Sequence, residues 1–309
     1  MTGTEFVRAF ANKGLPAWEA AALELSRKGE LTPWPFVSLP LRDDEGNVVI
    51  LEVASDVLSI GPIGEHIRLP LTPGTAQSIL NLSGSLLPTP WLVYQMYRAA
   101  QVKGSPIKRV PTAKLEDFAR HSALVDQQLA GLGARPGQLV SGIKKHVVVS
   151  NISQTGKVLI HGWYKPPPHP DVFDDGSHWT APERQPQQVK SNYHGDFYVD
   201  YSHGIQAVGP IAIVNGQPML TADLYQHPTL SKLVSNEGPI RVVRYPSRVP
   251  VATVTPSPGP GGPVAASDEP DDTEPPPGVF VIPTTPWASP HDMARLGLAM
   301  IASKGKLAR

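Results

Sequence analysis

The sequence predicts an α+β protein in which a helix-rich N-terminal part is followed by a β-rich part and a proline-rich tail. Apolar residues recur at helical spacing in the first 135 residues. From about residue 137 the apolar runs become short and are separated by Gly, Pro and Asn, which is typical of strands. The densest run of the 35 prolines lies late in the chain. The predicted parts are a mixed α/β part at 1–135, a β-rich part at 136–250, a linker at 251–286 and a terminal helix at 287–309.

The beginning of the N-terminal part combines a helix with a strand. Residues 3–29 are predicted to be helical, with Gly14 and Pro16 interrupting the helix. The run "NVVILEVASDVLSIG" at 47–61 is apolar and rich in β-branched residues, so we expect a strand that leads into a turn.

Three more helices are predicted before residue 135. The segments "LTPGTAQSILNLSG" and "LPTPWLVYQMYRAAQV" each place Thr-Pro just before an apolar periodic run, which is a helix-start signal. The third helix is predicted at 112–131, with Thr112 as its N-cap and Gly131 at its end.

The β-rich part is predicted to contain the strands "HVVVSNI", "KVLIHGWY", "FYVDYSHGIQAV", "IAIVNGQPM" and "PIRVVRYP". Beyond them, "VTPSPGPGGPVAASDEPDDTEPPPG" at 254–278 has few large apolar residues, which predicts a disordered linker. Residues 289–309 have the apolar spacing of an amphipathic helix. We expect this helix either to dock on its own domain or to bind a protein partner.

Composition excludes several classes of function. Lys+Arg and Asp+Glu are both 27, so charge gives no reason to expect nucleic acid as the partner. The absence of cysteine excludes disulfides, thiolate zinc sites and a cysteine nucleophile. No run approaches the roughly 20 apolar residues of a membrane span, and the N-terminus lacks a signal-peptide core. We therefore expect a soluble protein made in the cytoplasm, which would need another route for export.

The stretch "NYHGDFYVDYSHG" at 192–204 concentrates the candidate catalytic residues. Asp200 lies in an apolar segment, where it could have a raised pKa and act as a general acid or base. Alternatively, it could be a buried aspartate that only accepts backbone hydrogen bonds. His194 and His203 could be its partners, or could join Asp200 as ligands of a zinc ion. In a continuous strand, however, His203 would face away from His194 and Asp200, so a shared site requires a bend near Ser202.

Ser202 and four other residues have candidate roles around this stretch. Ser202 could be a nucleophile, although strand neighbours face apart and a turn cap is the alternative. Tyr198 and Tyr201 could position a polymer or glycan substrate, and Lys145 in "SGIKKH" could hold an anionic group. In "HGWYKPPPHP", Trp163 is expected to be exposed and able to stack on sugar rings.

Six segments of the chain occur in the same order as in a bacterial protein family that they resemble. They are "VASDVLSIGPIGEHIRLPLTPGTAQSI", "LLPTPWLVYQMYRAAQVK", "VSGIKKHVVVSN", "VLIHGWYK", "HGDFYVDYSHGIQAV" and "LVSNEGPI". The family has a "VDYSHG"-type motif and no known activity. The resemblance covers about residues 45–240. It implies a shared fold and a shared site around 194–204. The family pattern has a histidine in place of Ile143, an acid in place of His146 and a "PIQP"-like run in place of "QPQQVK".

These observations predict a hydrolase that acts on a cell-envelope polymer, most plausibly peptidoglycan. The polar cluster in an apolar segment and the aromatic, proline-rich segment nearby favour this function, and no nucleotide-binding glycine motif is present. The alternative is a non-catalytic phage or shell-associated protein whose C-terminal helix binds a partner.

Overall fold

The computed structural model describes residues 1–164 and 186–256, and within these ranges it confirms the α+β class. The described α-helices are α1 (Gly3–Phe10), α2 (Leu15–Arg27), α3 (Pro73–Asn81), α4 (Pro90–Ala99), α5 (Leu115–Gly131) and α6 (Thr221–Gln226). A short 3-10 helix follows at Leu230–Leu233.

The described strands are short, apart from the first two. They are β1 (Phe36–Arg42), β2 (Val48–Ala54), β3 (Ser59–Ile60), β4 (Ile67–Arg68), β5 (Val102–Lys103), β6 (Val140–Ser141), β7 (Lys145–Val147), β8 (Ile160–Gly162), β9 (Gln188–Ser191), β10 (His203–Gly204), β11 (Ile211–Val214) and β12 (Gln217–Leu220).

The larger sheet joins the two ends of the described chain. Its order is β1-β2-β11-β12 and all its pairs are antiparallel. β11 and β12 form a hairpin at Asn215-Gly216, where both residues have positive φ, as this type of tight turn requires. One apolar core extends from Phe6 to Ile240. The segments before and after residue 135 therefore share a sheet and a core.

The second sheet carries the candidate site. Its order is β10-β7-β8-β9, with β10 parallel to β7 and β8 antiparallel to it. His203 of β10 pairs with Lys145 of β7, and the next pair is Gly204 with His146. His146 also pairs with His161 of β8. The pairing brings a stretch near residue 145 beside a stretch near residue 203.

The structure divides the helix predicted at 3–29 into α1 and α2. Gly14, with a φ of 74°, precedes α2, and Pro16 lies in the first turn of that helix. The prediction that Thr112 caps α5 is wrong, because the N-cap is Lys114 and the Thr112 hydroxyl donates to Asp117 instead. The predicted end of α5 at Gly131 is confirmed.

The segment "PIRVVRYP" is not a strand, contrary to the sequence prediction. Side-chain hydrogen bonds hold it instead, because the Arg244 guanidinium donates to Asn81 Oδ1 and to the backbone oxygens of Gly84 and Ser85. The following residues also pack on α3, since the Ala252 amide donates to the Asn81 carbonyl.

Most of the predicted tail lies outside the described residues. Of the linker predicted at 251–286, only residues 251–256 are described, and the predicted terminal helix at 287–309 is not. No helix in the described ranges has the length and apolar character needed to cross a membrane.

Gly204 allows β10 to pack closely against two neighbours. A Cβ atom at this position would lie 2.7 Å from Lys144 Cβ and 2.9 Å from Val57 Cγ1. We expect Gly204→Ala to lower the free energy of unfolding by about 1–3 kcal/mol, which is the usual effect of overpacking, as measured by urea denaturation. Gly195→Ala is the control, because its Cβ would meet only the Gly156 oxygen, at 3.8 Å. Equal urea midpoints for the two variants would contradict this account.

Candidate functional site

The stretch at 192–204 is a turn that ends in a two-residue strand, so the prediction of a continuous strand is wrong. The outer half of the turn is fixed by backbone hydrogen bonds. The Val158 amide donates to the His194 carbonyl at 3.2 Å, and the Asp196 amide donates to the Gly156 carbonyl at 3.0 Å. Within the stretch, only His203 and Gly204 belong to the sheet.

Both histidines of this stretch lie next to the Tyr198 ring. The His194 ring stacks on Tyr198 with its centroid at 3.7 Å, and the His203 ring meets Tyr198 edge-on at 5.7 Å. His194 and His203 therefore do not lie on opposite faces, contrary to the prediction from alternation along a strand. The turn gathers the two rings around one tyrosine.

Asp200 is a buried carboxylate that closes the turn. It accepts hydrogen bonds from the Ser202 amide at 2.7 Å, from the Ser202 hydroxyl and from the Tyr198 hydroxyl at 2.8 Å. Burial alone would raise the pKa of Asp200, but nearby His203 and these donors hold it below its usual value. The lowered pKa of Asp200 does not suit a general acid, and the contacts match the alternative interpretation of a buried aspartate that accepts hydrogen bonds.

Ser202 has the contacts of the turn cap that the sequence offered as the alternative to a nucleophile. Its amide and its hydroxyl both bind the Asp200 carboxylate, as a turn-closing serine does. Its carbonyl accepts a hydrogen bond of 2.7 Å from the Lys145 amide, which ties the turn to β7. The side chain is almost fully buried, with 1 % exposed.

His203 is fully buried, and neither of its ring nitrogens has a hydrogen-bond partner among the described residues. Burial lowers the pKa of His203 to about 4, although Asp200 acts in the opposite direction. The ring is therefore neutral at pH 7. A buried polar group without a partner costs stability, so it calls for a functional explanation.

Lys144 is a member of the site that the sequence analysis missed. Its side chain is fully buried, and Nζ donates to the Tyr201 carbonyl at 2.5 Å and contacts His121 Nδ1 at 3.0 Å. His121 Nε2 lies 3.1 Å from the Ile107 carbonyl, which assigns its N–H to Nε2 and leaves Nδ1 to accept from lysine. Burial, followed by the charge of Arg68, lowers the pKa of Lys144 to about 7.

The predicted substrate-binding residues Tyr201 and Lys145 have partners within the protein. The Tyr201 hydroxyl donates to the Arg109 carbonyl at 2.7 Å and accepts from the Arg109 amide at 2.6 Å. Lys145 Nζ lies 5.0 Å from the centroid of the Trp163 ring. These contacts fix the surroundings of the turn.

Trp163 is not the exposed stacking platform that the sequence predicted. Only 4 % of the residue is exposed, and its indole N–H donates to the Ile143 carbonyl. Its neighbour Tyr164 is also buried, with its hydroxyl 2.9 Å from His161 Nε2. The polyproline run that follows Tyr164 lies outside the described residues.

A buried ion cluster lies beside Lys144 and was also missed. Arg68 Nε and Nη2 donate to the Asp56 carboxylate, and Nη1 donates to Asp126 at 2.5 Å. The two carboxylates outweigh burial and raise the pKa of Arg68 above its usual value. The sequence signal was an acid inside the apolar run "VASDVLSIG".

The arrangement of side chains gives no support for a zinc site. Across residues 1–164 and 186–256, no group of three or more His, Cys, Asp or Glu could hold a metal ion. The predicted ligands His194, Asp200 and His203 are among these residues and do not form such a group.

No protein-family model, curated protein or solved structure matches the chain.

Proposed function

We propose that the protein is a hydrolase of a cell-envelope polymer, with peptidoglycan as the substrate, and that it cleaves an acyl bond with Ser202 as the nucleophile. The observation that carries this proposal is a hydroxyl bound to a carboxylate beside two buried bases, Lys144 and His203. Serine and lysine form a known catalytic pair in acyl transfer.

Lys144 would be the general base. A pKa of about 7 leaves a large neutral fraction at physiological pH, which is the range in which a base is most effective. In the neutral amine both N–H groups can donate to Tyr201 and His121, and one lone pair remains to accept a proton. Nζ donates to the carbonyl of Tyr201, the residue directly before Ser202, so the proposed base is attached to the turn that carries the nucleophile.

The proton balance is simple. In the proposed step the Ser202 hydroxyl turns away from Asp200, to which it donates in the structure, and its proton passes to Lys144 as Oγ attacks the carbonyl carbon of an amide. Lys144 then gives this proton to the departing amine. Water hydrolyses the resulting ester, with Lys144 accepting and returning one proton again. Neutral His203 would donate its free N–H to the oxyanion, while Asp200 and Tyr198 position Ser202 through the turn.

A second candidate function rests on the burial of these groups. Asp200, Ser202 and His203 are almost inaccessible, so a polymer reaches them only if the outer part of the turn moves. This observation favours the non-catalytic alternative, a phage or shell-associated protein that binds a partner through residues 289–309. Truncation after Pro256 would then abolish partner binding and leave thermal unfolding unchanged.

The test is release of soluble fragments from purified peptidoglycan, measured by turbidity and by chromatography of the products. We expect wild type to release fragments with a rate that rises as pH increases through about 7, because Lys144 must be neutral to act. Ser202→Ala should lower the rate by about 1,000-fold or more, as removal of a nucleophile does.

Ser85→Ala is the matched control, since Ser85 is equally buried and its hydroxyl binds only Ser83. This variant should retain full activity. A wild-type protein that releases no fragments, with or without added zinc, would refute the hydrolase proposal and leave the non-catalytic function.

A further inference from the structure

An open cleft of about 820 Å³ lies on the surface beside the turn. Its size falls in the range of small-molecule and cofactor sites. Its walls come from α2, the start of α3 and the segments 153–157 and 242–248. Asp196 and Phe197, from the outer half of the turn, complete the wall, so one turn connects the cleft with the buried Ser202.

The charged side chains that line the cleft either have partners within the protein or are of both signs, so the net charge of the cleft is small. The Arg244 guanidinium is occupied by Asn81, Gly84 and Ser85, and the Glu19 carboxylate is occupied by the start of α3. The remaining charged side chains of the wall are of both signs; they are Lys157, Asp196 and Arg248. This balance does not favour a phosphate or another strongly charged ligand.

Phe197 gives the cleft an exposed aromatic face. The residue is 84 % exposed, although it lines the cleft. The exposed Val242 adds apolar surface beside the buried Val149, while the turn at 153–155 contributes hydroxyl and amide groups. An apolar face combined with uncharged polar groups suits a ligand that has both characters, and a pyranose ring has them.

We propose that this cleft binds a glycan chain, with a sugar ring stacked on Phe197. This inference rests on the proposed function, which supplies the substrate class. The glycan in the cleft would be the polysaccharide strand of peptidoglycan. The sugar-binding aromatic residue is then Phe197, not the buried Trp163.

The test is isothermal titration of the full-length protein with oligosaccharides of N-acetylglucosamine, with cello-oligosaccharides as a comparison. We expect Phe197→Ala to weaken binding of the N-acetylglucosamine oligosaccharide by about tenfold, which is the upper range for one aromatic contact. Tyr193→Ala is the matched control, because Tyr193 is 80 % exposed in the same turn but does not line the cleft. The Tyr193→Ala variant should bind the N-acetylglucosamine oligosaccharide with the affinity of wild type.

A second pair of variants tests the location of the ligand. Val242 and Val189 are both exposed valines, but only Val242 lines the cleft. Val242→Arg should therefore block binding, whereas Val189→Arg should not. Absence of binding in wild type, or equal binding by all variants, would overturn the inference. A change in oligomeric state of Val242→Arg without a change in sugar binding would overturn it too.

Binding and cleavage are measured separately, so the two proposals can fail independently. Oligosaccharide binding that depends on Phe197, without fragment release, would refute the hydrolase and support the glycan cleft. Fragment release without such binding would support the hydrolase and refute the cleft assignment.

Discussion

Replacing Asp56 by alanine is expected to lower the free energy of unfolding by about 3–5 kcal/mol, the usual loss when one member of a buried ion pair is removed. Arg68 is 2 % exposed and donates two nitrogens to Asp56. Without that carboxylate, the guanidinium would keep only Asp126, whose side chain is 42 % exposed. The measurement is the free energy of unfolding in urea at pH 7.

Glu24→Ala provides the control for this prediction. Glu24 pairs with Arg27 at 3.2 Å on the surface, with about half of each side chain exposed. Exposed pairs of this kind contribute about 0.2–1 kcal/mol to stability, so the free energy of unfolding of Glu24→Ala should be close to that of wild type. A loss below about 1 kcal/mol for Asp56→Ala would mean that the buried cluster does not hold the fold as described.

The protein is expected to lose stability steeply as the pH falls from about 6.5 towards 4. Burial lowers the pKa of His146 and His203 to about 4 and that of His121 and His161 to about 3. Between these values and the usual 6.5, the unfolded chain binds more protons than the folded protein, so stability decreases with decreasing pH. Each group contributes on the order of 3 kcal/mol to this loss.

His203→Leu should shift this acid transition to lower pH. Because neither ring nitrogen of His203 has a partner among the described residues, the substitution removes no side-chain hydrogen bond. We therefore expect the stability at pH 7 to be maintained or to increase by about 1–3 kcal/mol. Circular dichroism during acid and urea titrations measures both effects.

His121→Leu is the matched control among the buried histidines. His121 contacts Lys144 and the Ile107 carbonyl, so its replacement would leave buried polar groups without partners and lower the stability at pH 7. A similar loss for His203→Leu would show that His203 has a structural partner after all.

Local signals in the sequence predicted the helices well. The Thr-Pro pairs before α3 and α4 marked both starts, because Pro suits the first helical turn. Thr89 caps α4 with its hydroxyl, as the pattern predicts, whereas Thr72 binds Glu19 from α2. The second arrangement depends on a contact distant in sequence, so no local pattern could reveal it.

The sequence indicated the stretch at 192–204 as the candidate site, but it did not predict the geometry of that stretch. Apolar alternation around Asp200 predicted a strand, whereas the carboxylate binds Ser202 two residues ahead and closes a turn. The pairing of β7 with β8 and β10 decides which side chains are buried nearby. Lys144, Lys145 and Trp163 therefore could not be placed from local pattern alone.

The most direct test of the account measures fragment release and unfolding free energy on the same preparations of wild type and Ser202→Ala. The account predicts that Ser202→Ala keeps its fold, losing about 1 kcal/mol for the hydrogen bond to Asp200, and that its rate of release falls by about 1,000-fold or more. Release by the folded Ser202→Ala variant at the wild-type rate would contradict the claim that Ser202 is the nucleophile.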